Sequence, residues 1–182
     1  MITPGNDGRG GLITALLAAA WVMMAVPAAW CSQAAAPTAT PAAGPVLLYF
    51  ADSDGRGLKP ERFTLPHRGD TLTDGRALVA ALIDGPSNPS LTPVLPADGA
   101  VKGFYVTENQ TAVVDLDTTL QDRSPGGIMS EMLSVFAVVN TLVLNLPDID
   151  RVILLFNGQP ADTFAGHIDL ESPLKANLLL IR

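Results

Sequence analysis

Two carboxylates stand two apart in QTAVVDLDTTL, residues 110–120: Asp115 and Asp117. In a strand, such positions share a face. The pair is therefore placed to act as acid and base, or as acid and nucleophile. That chemistry needs one carboxyl with a raised pKa in a pocket, and the sequence offers no third group. The competing reading is the solvated face of a strand whose end enters a loop at Asp117 and Thr118, and we carry that reading forward. Asp52 and Asp54 in DSDGRG alternate as cation ligands do, but the downstream acidic ligand of a calcium loop is missing. Turn chemistry is the expectation there. His67 and His167 are 100 residues apart. A zinc site would need both, with carboxylates; for His167 a structural hydrogen bond is expected instead. No serine sits in a nucleophile elbow, and the glycines at 55, 57, 126 and 127 fit no phosphate loop. Gly126 and Gly127 precede a helix whose N-terminus could take an anion, but a tight turn into that helix is the simpler reading. No catalytic residue, metal site or cofactor is expected.

The elements that must position these residues follow from hydrophobic periodicity. VLLYFA (46–51) reads as a buried strand, DSDGRG (52–57) as a turn, and ERFTLP (61–66) as a short edge strand stopped by Pro66. Asp70, Thr71 and Thr73 are all usable N-caps for a helix through RALVAALI. Gly85 and Pro86 close that helix. SNPSLTPVLPADGA (87–100) reads as loop. VKGFYVTE (101–108) and TAVVDLD (111–117) read as a hairpin turning at Asn109 and Gln110. IMSEMLSVFAVVNTLVLNLP (128–147) repeats apolar residues at helical spacing, and Glu131 is its only charge. Leu133, Ala137, Val138 and Leu144 lie off its main stripe. A helix apolar nearly all round is buried on several sides or meets a partner. Glu131 and Asn140 interrupt the run and argue against a membrane span. RVILLFNG (151–158) is a strand ending in a turn, with QPADTF (159–164) returning beside it, and NLLLI closes the chain as strand or helix cap. The strand, helix, strand, strand, helix, strand order implies an α+β domain, one sheet with both helices on one face.

Residues 1–34 read as a secretory signal. The uncharged run GLITALLAAAWVMMAVPAAW (11–30) follows a polar start, and small residues come after it. The run is also long enough to serve as an uncleaved membrane anchor. Cys31, the single cysteine, offers a lipid attachment point, although bulky Trp30 stands where a lipoprotein signal has a small residue. Residues 35–45 form an Ala/Pro/Thr linker without large apolar groups, leaving 46–182 as the domain. The formal net charge is −7, and no basic cluster is present. An acidic surface of this kind makes nucleic acid and anionic membranes poor partners.

Several stretches, taken in order, resemble the sporulation and spore germination (GerMN) domain. They are LLYF (47–50), ALVAALIDGP (77–86), LPADGAVKG (95–103), TAVVDL (111–116) and the Gly126-Gly127 pair. VVNTLVLNLPDIDRVILLFNGQ (138–159) and AGHIDLESPL (165–174) complete the set. The resemblance implies a small α+β domain similar to the ring-building modules of secretion and sporulation machines. It implies a scaffolding or interaction module outside the cytoplasmic membrane, and it carries no catalytic residue onto this chain. The expectation is an exported, periplasmic or otherwise extracytoplasmic protein. Its partners would be other envelope proteins or a second copy of itself, through a face comprising Leu133, Ala137, Val138 and Leu144. The membrane would be reached only through an uncleaved leader or a lipidated Cys31. A cell-wall (peptidoglycan) binding or hydrolysing module, resting on compartment and the aspartate pair, is the alternative.

Overall fold

The computed structural model describes residues 42–182. The expectations for the leader, for Cys31 and for most of the linker lie outside the described residues. The first strand, β1 (Ala42–Asp52), begins four residues before the expected boundary at Val46, so the end of the Ala/Pro segment is strand. It pairs antiparallel with β2 (Leu58–His67) along its whole length, from Ala42 opposite His67 to Ala51 opposite Leu58. Val46, Leu48 and Phe50 face inward with Phe63 and Leu65 of β2, following the two-residue period of a strand. Asp70 caps helix α1 (Thr71–Asp84), accepting from the amides of Leu72 and Thr73. Gly85 ends the helix at φ 92°, a conformation that costs glycine little.

A two-residue strand, β3 (Leu91–Thr92), pairs with Ala51 and Asp52 inside the stretch expected to be loop. Then come β4 (Val101–Val106) and β5 (Thr111–Leu116), joined by a tight turn in which Gln110 takes φ 57°. After a short helix, α2 (Thr119–Asp122), the long α3 (Ile128–Asn145) crosses back to β6 (Arg151–Phe156). Strand β6 pairs parallel with β5. Asn157 and Gly158, both at positive φ, turn the chain into β7 (Gln159–Pro160), the Asn-Gly signal of a two-residue hairpin. The closing NLLLI holds a 3₁₀ turn at Leu178–Leu180, after which Ile181 bridges to Leu58.

The fold class is α+β as expected, but the strands form two sheets, not one. Their orders are β2-β1-β3 and β4-β5-β6-β7. Helix α3 touches β1 and β6, α1 touches β1 and β4, and the helices touch each other. The helix pair is thus covered by both sheets, which explains why α3 needs apolar residues on nearly every side. Although long and apolar enough to cross a bilayer, α3 is a core helix. Two contacts set its neighbours' spacing. A Cβ on Gly75 of α1 would collide with the Phe104 ring of β4. The edge of β1 away from β2 is closed by α3 side chains. Asn145 accepts from the Leu47 amide (2.9 Å) and donates to its carbonyl (2.7 Å), and Thr141 Oγ1 accepts from the Tyr49 amide (3.3 Å). Pro45, next along that edge, has no amide to satisfy. An open edge is thereby made unavailable for pairing.

Candidate functional site

The carboxylates marked by the sequence serve the backbone. Asp115 accepts from the Gly158 amide (2.7 Å) and so fastens the β6–β7 turn to β5. Asp117 accepts from the Thr119 hydroxyl (2.6 Å) and amide (2.9 Å), and Lys102 lies 3.2 Å away. Those donors hold its carboxyl down at about 2, the reverse of what an acid catalyst needs. Asp52 accepts from the Arg56 amide (2.8 Å) and lies below its usual range for that reason, while Asp54 is exposed in the same turn.

The two histidines are used separately. His167 Nδ1 lies 3.0 Å from Glu131, the charge inside α3. Glu131 is fully buried. Burial pushes its carboxyl up, yet the amides of Ala165, Ile168 and His167 and the His167 ring outweigh this and hold it at about 2. The loop around residues 165–168 is thereby pinned to the first turn of α3, where the helix dipole also favours an anion. The structural hydrogen bond expected of His167 is present. His67 instead meets Asp74 of α1, Nδ1 to Oδ2 at 2.6 Å, and the Arg68 amide donates to the other oxygen at 2.9 Å. Among the described residues, no group of three or more His, Cys, Asp or Glu could hold a metal ion.

The interaction face expected on α3 requires correction. Leu133, Ala137 and Val138 are buried in the core. Both sheets cover the helix, so the side that looked unpartnered with one sheet meets the other. Of the four residues only Leu144 is exposed, at 43%. It lines a shallow groove with Pro45, Val46, Leu47, Arg62 and Asn145, and Leu47 is also exposed.

Val46 and Asn145 also border a deeper cleft of about 250 Å³ between the start of α1 and the end of α3. Its apolar wall includes Leu65, Leu78 and Leu146, and its polar rim holds His67, Asp74, Thr71 and Asp148. Asp74 fixes the His67 ring as in a hydrolase, but the hydroxyl on the wall is engaged elsewhere: Thr71 donates to Asp148 Oδ2 at 2.9 Å. The arrangement assembles no free nucleophile. Sequence reasoning singled out His67 but missed Asp74, Thr71 and Asp148. Asp148 follows the helix-ending Pro147, which signals a loop beside the C-terminus of α3, and only the fold brings that loop to α1.

Residues 47–162 match the profile of the family Germane, described as sporulation and spore germination. None of the curated proteins matches the chain. The similar solved structures include three with this fold. A candidate lipoprotein from Clostridium perfringens aligns at 25% identity with a TM-score of 0.54, covering 73% of this chain and 87% of that one. The first GerMN domain of the sporulation protein GerM from Bacillus subtilis aligns at 22% identity and 0.60, covering 72% and 97%. The tandem GerMN domains of the same protein align at 20% and 0.57, with 74% of this chain spanning 46% of that one. The described residues thus carry the fold of one such domain.

Proposed function

The chain belongs to the Germane (sporulation and spore germination) family, and from that premise we propose that it is an exported, non-catalytic module that binds proteins of the cell envelope, a second copy of itself among them. The apolar leader and the likeness to a candidate lipoprotein favour a place outside the cytoplasmic membrane. The observation that carries the binding role is the groove holding exposed Leu47 and Leu144. Large aliphatic side chains sit there on the surface of a domain whose other α3 leucines, Leu133 and Leu142, are buried. Clustered exposed apolar residues rimmed by polar ones are the usual mark of a protein contact. The engaged states of Asp115 and Asp117 favour binding over hydrolysis of cell-wall glycan. Light scattering across a concentration series tests the self-binding part. A mass that rises with concentration, and that Leu144→Glu returns to monomer without lowering Tm, is the expected result. A strict monomer at all concentrations would remove self-association.

A further inference from the structure

We propose that the cleft between the start of α1 and the end of α3 receives a basic side chain, lysine or arginine, from a protein partner. The inference rests on reading the neighbouring groove as a contact surface, since the two share Val46 and Asn145. Size is the first constraint. At about 250 Å³ the cleft falls short of the roughly 300–1,000 Å³ of sites for drug-sized ligands. It has room for one long side chain and not for a large cofactor. The walls are the second constraint. Val46, Leu65, Leu78 and Leu146 offer an aliphatic lining that suits a methylene stem, which buries readily while its charged head seeks polar groups.

The rim decides the sign of that head. His67 commits Nδ1 to Asp74, which brings a second acidic side chain to the cleft. Asp148 takes the Thr71 hydroxyl on Oδ2, leaving its other oxygen to accept. Among the described residues no lysine or arginine lines the cleft, so no cation among them offsets Asp148. A carboxylate ligand would meet the like charge of Asp148. An ammonium or guanidinium carries donors only and finds acceptors on the rim. The net charge of −7 adds long-range attraction for a basic partner.

The test titrates the ¹⁵N-labelled full chain with Nα-acetyl-lysine amide and, separately, with Nα-acetyl-norleucine amide, which keeps the stem and lacks the ammonium. Saturable shifts at the Gly69, Thr71 and Asp148 amides are expected with the lysine compound. Binding about fivefold weaker is expected with the norleucine compound and in Asp148→Asn, as befits loss of one partly exposed charge contact. That substitution keeps an acceptor for Thr71. Equal binding of the two compounds, indifference to Asp148→Asn, or no shift at these amides would overturn the proposal. The two readings fail separately. Absent lysine binding, with association still abolished by Leu144→Glu, removes only the basic anchor. Lysine binding alongside association that Leu144→Glu leaves unchanged removes the groove and supports the chemistry of the cleft.

Discussion

Glu131 shows what a single charge does inside this domain. It holds a loop from a distant part of the chain through three amides and one imidazole. Its folded pKa of about 2 lies below the ordinary value of 4.5. A depressed carboxylate contributes stability above its unfolded pKa and loses it as pH falls through the folded value. Stability is therefore expected to fall between about pH 5 and pH 2, as read by denaturant midpoints across that range. In Glu131→Gln that acid dependence should shrink, and the variant should be less stable at neutral pH by about 2–4 kcal/mol, because an amide meets the donors without charge. An unchanged acid profile would show that other carboxylates govern it. The sequence marked Glu131 as the lone charge in an apolar helix, but its partners lie more than 30 residues on, beyond any local pattern. Asp115 and Asp117 were legible in part. Their strand was legible, although it ends at Leu116, one residue before Asp117. The sequence reading gave the pair as a solvated face, and the bonds that fasten Gly158 and Thr119 came only with the fold.

At the scale of elements, α3 carries the main lesson. Its boundaries and its all-round apolarity were plain from spacing, and the alternatives of burial on several sides or partner contact were correctly framed. Which one applied depended on a second sheet. That sheet was invisible because strand periodicity reports which residues alternate, not which strands pair. A β3 of two residues gives no periodic signal at all. Two substitutions on one helix separate the alternatives. Val138→Asp should abolish cooperative unfolding, since an unpaired charge would be placed in the core, whereas Leu144→Glu should leave Tm nearly unchanged. Circular dichroism melts of the two read this directly. Asn145→Ala should cost about 0.5–1.5 kcal/mol through loss of its hydrogen bonds to the Leu47 amide and carbonyl, which water partly replaces at this exposed residue, and hydrogen exchange should quicken at Leu47 first. Gly75→Ala should also destabilise, by about 1–3 kcal/mol from crowding against Phe104, although alanine is the better helix former.

For the molecule as a whole, several sheet edges are guarded. Asn145 and Thr141 close one side of β1, prolines at 60 and 66 interrupt β2 on the other sheet edge, and Arg76 takes the Val101 carbonyl of β4. Surfaces so guarded against strand addition leave side-chain contacts as the route to partners. The groove at Leu47 and Leu144, with its adjoining cleft, is one place among the described residues where large apolar side chains stay exposed; Leu72, Tyr105, Ile128, Met129, Leu178 and Leu179 are others. The family was legible from ordered motifs because those motifs are core and turn positions that set the fold. Of the groove's lining the sequence singled out only Leu144, because exposure depends on which sheet covers which helix face. The most direct measurement is site-specific photo-cross-linking in the envelope of cells making the protein, with the photoreactive residue at position 144 and a control at exposed Glu108. The account predicts protein adducts from 144 and none from 108. No adduct from 144, or equal adducts from both, would contradict it.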